Sequence, residues 1–173
     1  MFRIERYHDI SCGHRVAGHE NKCRHLHGHN YRVTFVCVSE STLSMGPYDG
    51  DSKELDDVGR VIDFSVVKER LCMWLENVWD HKFLAWEHDT VMRNITKLCG
   101  AACWSSKNDE SVHDVLDSSI VWTPFNPTAE NMAEYLVNTV GPHVLQGTGV
   151  MLLECRVEET RKCSAAFTKD FDI

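Results

Sequence analysis

The sequence has no run approaching the ~18 apolar residues of a membrane-spanning helix. Its first ten residues, MFRIERYHDI, lack the apolar stretch and small-residue site of a cleavable leader. No membrane partner is expected, and the cytoplasm is the expected location. Positive charge is also short: 18 Lys and Arg against 26 Asp and Glu give a net charge of −8, which argues against a nucleic-acid binder. No repeat, low-complexity segment or linker interrupts the 173 residues, so a single domain over residues 1–173 is expected. Cysteine is not scarce, but positions 12, 23, 37, 72, 99, 103, 155 and 163 show no disulfide-framework spacing. Cys37, Cys72 and Cys155 lie within apolar segments and read as buried thiols. Cys99 and Cys103 are spaced like half a metal site, with no second pair following.

The acidic balance is uneven. Residues 1–32 hold six basic side chains against three acidic ones, whereas the remainder holds 12 against 23. A locally positive end of an acidic chain can attract a small anion.

Residues 2–10 alternate loosely between apolar and polar types, and residues 30–39 (NYRVTFVCVS) are rich in aromatic and β-branched ones; both read as strands. The turn formers of residues 40–57 predict a surface segment, and residues 59–63 a short strand. Asp63 or Ser65 then caps a helix that places Phe64, Val67, Leu71, Trp74, Leu75 and Val78 on one face. Residues 89–99 fit a helix, and SSKNDESVHD (105–114) a loop. Asn126-Pro127-Thr128 reads as a cap with proline in the first turn of a helix to about residue 139. Residues 149–158 and 161–168 read as a closing antiparallel pair. The order ββααββ predicts an α+β domain: a four-stranded antiparallel sheet with two helices on one face.

Histidine carries the chemical signal. Five of the ten lie within HRVAGHENKCRHLHGHN, at positions 14, 19, 25, 27 and 29. Residues two apart on a strand project to one face, so His27 and His29 point together as they enter the second strand. Imidazole suits zinc, and three histidines leave a fourth position of a tetrahedral site open. His14, at the end of the first strand, is the expected third ligand, although His19 and His25 satisfy the spacing as well. Gly28 between the pair permits close approach of another backbone.

Cys23-Arg24-His25-Leu26-His27-Gly28-His29-Asn30-Tyr31 resembles the CxxxHGHNY signature of the 6-pyruvoyl-tetrahydropterin synthase family, in particular its 6-carboxy-5,6,7,8-tetrahydropterin synthase branch. Further blocks follow in the family's order: Val61-Ile62-Asp63-Phe64, Asp80-His81, Asn126-Pro127-Thr128-Ala129-Glu130-Asn131 and Glu159-Thr160. Pyruvoyl synthases usually have two more residues between the cysteine and the first histidine of HGH. The chain departs from the family at Ile10-Ser11-Cys12-Gly13-His14, where Phe-Ser-Ala-Ala/Ser-His is usual, and in extra length near 40–57 and 85–121.

The resemblance implies a T-fold that assembles as a homo-oligomer, usually a hexamer, with active sites at subunit interfaces. It implies Zn2+ held by His14, His27 and His29, a catalytic thiolate at Cys23, a proton-transfer pair at Asp80 and His81, and Glu159 holding a pterin ring. Thr128, Glu130 and Asn131 are expected to shape the pocket wall. The implied substrate is 7,8-dihydroneopterin triphosphate, converted to 6-carboxytetrahydropterin with loss of acetaldehyde and triphosphate in 7-deazaguanine (queuosine) synthesis. A pyruvoyl synthase and a non-catalytic zinc or pterin binder are the alternatives. Lys22 and Arg24 flank Cys23, and neighbouring cations favour a thiolate. Arg15, Lys22, Arg24 and Lys82 are the candidate partners for the triphosphate.

Overall fold

The computed structural model describes residues 1–43, 54–101 and 112–170. Strand β1, Ile4–His14, pairs antiparallel with β2, His27–Ser39, from Ile4 opposite Cys37 to His14 opposite His27. Alternation then decides which face of the sheet each side chain joins. The odd-numbered residues Tyr31, Val33, Phe35 and Cys37 join Ile10 and Cys12 in the core. Helix α1 follows as Phe64–Val67, a π-helical turn Lys68–Cys72, and Met73–Val78. The Asp63 carboxylate caps it by accepting from Ser65 N, and Leu71, Leu75 and the following Trp79 pack onto the sheet.

Strand β3, Phe83–Trp86, leads to helix α2, Thr90–Ala101. Helix α3, Val112–Ser119, leads to β4, Ile120–Thr123. Helix α4 comprises Ala129–Tyr135, a second π-helical turn Leu136–Val140, and Gly141–Val144. The chain closes with β5, Val150–Thr160, and β6, Cys163–Thr168.

The order β4-β3-β1-β2-β5-β6 makes a six-stranded mixed sheet, and this corrects the expected four-stranded antiparallel one. The four expected strands form its antiparallel part in the order β1-β2-β5-β6, and α+β holds. β3 and β4 extend the β1 edge in parallel, beginning with Gly13 opposite Phe83 and Phe83 opposite Ile120. Each has only four residues, too few to show a period in the sequence.

Residues 59–63 form no strand: the Asp56 carboxylate accepts from Val58 N and Arg60 N, and Arg60 pairs with Asp56 and Asp63. The helix cap at 126–128 is Thr128, which accepts from Asn131 N, rather than Asn126. The helical reading of 89–99 stands. Cys103 and most of the loop expected at 105–114 lie outside the described residues, as does most of the surface segment expected at 40–57. No helix among the described residues is long and apolar enough to cross a membrane.

Gly13 and Gly28 face each other across β1 and β2. A Cβ on Gly28 would meet Cys12 O at 2.9 Å, and one on Gly13 would meet the Phe83 ring at 2.6 Å. The first obstacle is backbone and cannot rotate away. Gly28→Ala is therefore expected to lower unfolding stability by about 1–3 kcal/mol, as overpacking does, read by urea unfolding of the purified protein; an unchanged midpoint and slope would refute the close approach.

Candidate metal centre and its cleft

The β1/β2 register brings three imidazoles together. His14 lies opposite His27, and His29 follows on the same face. Ring centroids are 4.4 Å apart for His14 and His27, 5.2 Å for His14 and His29, and 5.0 Å for His27 and His29. One ring nitrogen from each lies within 4.8 Å of the other two. Neither His19 nor His25 joins this group.

The partners of these rings set their tautomers. His14 Nδ1 is 2.6 Å from Pro127 O, and His27 Nδ1 is 2.8 Å from His25 O. A carbonyl only accepts, so Nδ1 carries the proton in both rings and Nε2 is the nitrogen left for a metal. His25 thus contributes its backbone, a role its side-chain spacing concealed. His14 is 1% exposed, and its Nε2 is buried with no hydrogen-bond partner. Burial pushes its pKa down to about 4, helped by His27 and His29 and opposed by the Pro127 bond. His29 is lowered too, by burial first and by His27, with Glu159 pulling the other way. Converging nitrogens, one of them orphaned in the interior, fit a divalent cation such as zinc.

His27 and His29 open into a cleft of about 1560 Å³ that Asp80, His81 and Glu159 also line. Glu159 lies where the β5/β6 register shifts between Glu158 and Thr160, an irregularity that re-aims a side chain. Its Oε1 is 3.9 Å from His14 Nε2. Asp80 follows α1 and is stitched to β1: its Oδ1 accepts from Ser11 N at 2.8 Å, and Ser11 O accepts from His81 N at 2.7 Å. Asp80 Oδ2 lies 2.6 Å from His81 Nδ1. Partial burial would raise the Asp80 carboxyl, but the bonds from Ser11 and His81 outweigh it and hold it below the usual carboxylate range. His81 itself adopts φ 55°, a left-handed conformation uncommon for residues other than glycine.

Cys23 sits half-buried in the 3-10 turn Lys22–Arg24 of the β1–β2 connection, and its carbonyl accepts from Val16 N at 2.8 Å. Cys23 is not in the cleft lining, and neither is Tyr31, whose phenol is buried without a hydrogen-bond partner. Burial raises its pKa most, followed by charge at Cys12, Glu159 and Cys23.

Other expected contacts lie elsewhere. Thr128 caps α4 and Glu130 is exposed in its first turn; neither lines the cleft. Lys82 does, as does Arg161 at the β5–β6 turn, which the sequence reading overlooked although it follows Glu159-Thr160. Lys22 and Arg24 are exposed outside the cleft lining. Arg15 is committed to the protein: Nη1 donates to both Asp89 oxygens at 2.8 and 2.9 Å.

A family model described as 6-pyruvoyl tetrahydropterin synthase matches residues 3–170. Relatives named 6-carboxy-5,6,7,8-tetrahydropterin synthase include one from Rickettsia felis, 26% identical over 163 residues, and one from Rickettsia bellii, 28% identical over 164. Each alignment covers 94% of this chain and 97% of the relative. Among solved structures, an uncharacterized protein from Wolinella succinogenes superposes with a TM-score of 0.73 at 22% identity, covering 98% of both chains. The 6-pyruvoyl tetrahydropterin synthase of Plasmodium vivax gives 0.61 at 19% identity, covering 99% of this chain and 100% of that one. At such identities the structural likeness speaks for the T-fold alone.

The buried state of His14 sets a pH dependence for the metal-free protein. Its folded pKa, about 4, lies below the ordinary 6.5, so the unfolded chain takes up the proton first as pH falls. The contribution is complete above pH 6.5 and is lost between 6.5 and about 4. Urea unfolding across that window is expected to show a loss on the order of 3 kcal/mol from this group. His14→Asn, whose side-chain amide can still donate to Pro127 O, should flatten the slope; an unaltered slope would assign the proton uptake to another group.

Proposed function

Since the chain belongs to the 6-pyruvoyl tetrahydropterin synthase family, we propose that it is a zinc-dependent 6-carboxy-5,6,7,8-tetrahydropterin synthase. It acts in the cytoplasm on 7,8-dihydroneopterin triphosphate, consumes one water and releases 6-carboxytetrahydropterin, acetaldehyde and triphosphate, a step toward 7-deazaguanines. The observation that carries this reading is the convergence of His14, His27 and His29 at a cleft shared with Glu159 and the Asp80–His81 pair. The names of the relatives point to the same branch.

His14, His27 and His29 would hold the zinc. Bound there, it would supply Lewis acidity to stabilise negative charge that develops on the substrate side chain. Glu159 accepts two hydrogen bonds from the amino group and ring N–H of the pterin, which orients the ring. Cys23, as thiolate, removes a proton from the side-chain carbon next to the hydroxyls. The Asp80 carboxylate holds Nδ1 of His81, leaving Nε2 at the cleft to pass protons. Lys82 and Arg161 supply positive charge for the triphosphate. Thr128 and Glu130 act at one remove: they shape the first turn of α4, directly after the Pro127 carbonyl that orients His14.

The same reading makes the protein a homo-oligomer, a hexamer by family habit, with active sites completed between subunits. Among the described residues β4 and β6 are the free edges of the sheet, through which copies can join.

Zinc-loaded protein incubated with dihydroneopterin triphosphate is expected to yield acetaldehyde and the carboxylated pterin, identified by mass spectrometry. A product that keeps its three-carbon side chain would move the assignment to pyruvoyl synthesis; pterin binding without turnover would make the protein a binder. Cys23→Ala should keep zinc and pterin while losing about 10²- to 10⁴-fold in kcat, the yield of a positioned base. Full turnover in that variant would remove Cys23 from the mechanism.

A further inference from the structure

The β1–β2 connection that carries Cys23 is in no strand; its own backbone bonds, such as Val16 N to Cys23 O, shape the turn, and side-chain braces tie it to the rest of the fold. Arg15 supplies the central one. Its Nε donates to Arg24 O, the carbonyl of the residue after Cys23, at 2.8 Å. Its Nη1 donates to both oxygens of Asp89, a carboxylate 4% exposed. Asp89 in turn accepts from Val91 N at 2.9 Å and so caps α2. A second brace lies alongside: the Asn126 side chain accepts from Ala17 N and donates to Ala17 O, both at 2.9 Å.

We propose that Arg15 and Asp89 are a positioning pair that sets the Cys23 thiol against the three-histidine centre. The segment near 85–121, extra length relative to the family pattern, then has a purpose, because it delivers Asp89. The inference rests on the reading of Cys23 as the catalytic base. A guanidinium suits this role because its rigid fork donates Nε in one direction and Nη1 in another, whereas an ammonium is a single flexible point. Such bracing also matters for rate, since a base displaced by ~1 Å can lose about 10²-fold.

The test uses full-length, zinc-loaded enzyme carrying Asp89→Asn or Arg15→Lys. Asparagine still caps α2 but gives up the charged two-point grip. Both variants are expected to lose about 10- to 100-fold in kcat with KM changed less than about threefold, as misplacement of a reacting group predicts. Zinc stoichiometry and circular dichroism should match the parent. Iodoacetamide alkylation of Cys23, followed by peptide mapping, should change in rate by at least about fivefold if thiol access depends on the brace. The exposed Cys163 serves as internal reference and should alkylate at the parental rate.

The double variant should be no worse than the poorer single one, because both remove one interaction. Folded variants whose Cys23 alkylates at the parental rate would overturn the proposal, whatever their kcat. If instead Cys23→Ala retains turnover, the catalytic reading of Cys23 fails, and a changed alkylation rate in Asp89→Asn still upholds the brace.

Discussion

The antiparallel pairing that sets His14 opposite His27 is the constraint on which the site depends. Strand side chains alternate, so this register sends His14, His27 and His29 to the helix-covered face together with Cys12 and Tyr31. A slip of one residue would turn His27 and His29 to the other face and disperse the centre. Gly13 and Gly28 resist such a slip because they occupy the pair where strand backbones and the Phe83 ring come too close for any side chain. The arrangement has a cost. A histidine nitrogen is left in the interior without a partner, and a buried polar atom so placed destabilises by about 1–3 kcal/mol. Coordination of a metal would offset that cost, which ties the folding of the first two strands to the chemistry of the cleft.

Much of this was legible from residue patterns, and the failures have physical causes. The alternation of the first two strands and the three-four spacing after Asp63 reported real faces, because those elements are long and half-buried. Val61-Ile62 misled, since a local network of Asp56, Arg60 and Asp63 wins over the β preference of two residues. FLAW and IVWT were silent because tertiary pairing, not local pattern, makes them strands. Asn126 looked like a helix cap by type, yet its amide is spent on Ala17. Arg15 looked like a phosphate ligand because its carboxylate partner lies 74 residues away, beyond any motif. The convergence of two histidines was readable from spacing; the third required knowing which strand lies beside which.

One residue type serves two purposes here, and the partner of Nδ1 distinguishes them. His14 and His27 give their Nδ1 protons to backbone carbonyls, and a carbonyl is an uncharged acceptor that fixes a tautomer without offering a counter-charge. At His14 burial outweighs the Pro127 bond and preserves the Nε2 lone pair near neutral pH, which is what coordination requires. His81 differs on both counts, with an exposed ring and a carboxylate on its Nδ1.

That carboxylate is held in place from the other side by Ser11 N, and Ser11 O takes His81 N, so residues 80–82 run along β1 almost as a further strand. The left-handed backbone at His81 costs on the order of 1–3 kcal/mol for a non-glycine residue and persists only where its surroundings insist on it. Here the insistence comes from the paired bonds to Ser11 and from Gly13 N donating to Lys82 O. Relaxing the turn would break these contacts and withdraw the imidazole from the cleft. Strain at one residue therefore keeps the His81 imidazole at the cleft into which His27 and His29 open.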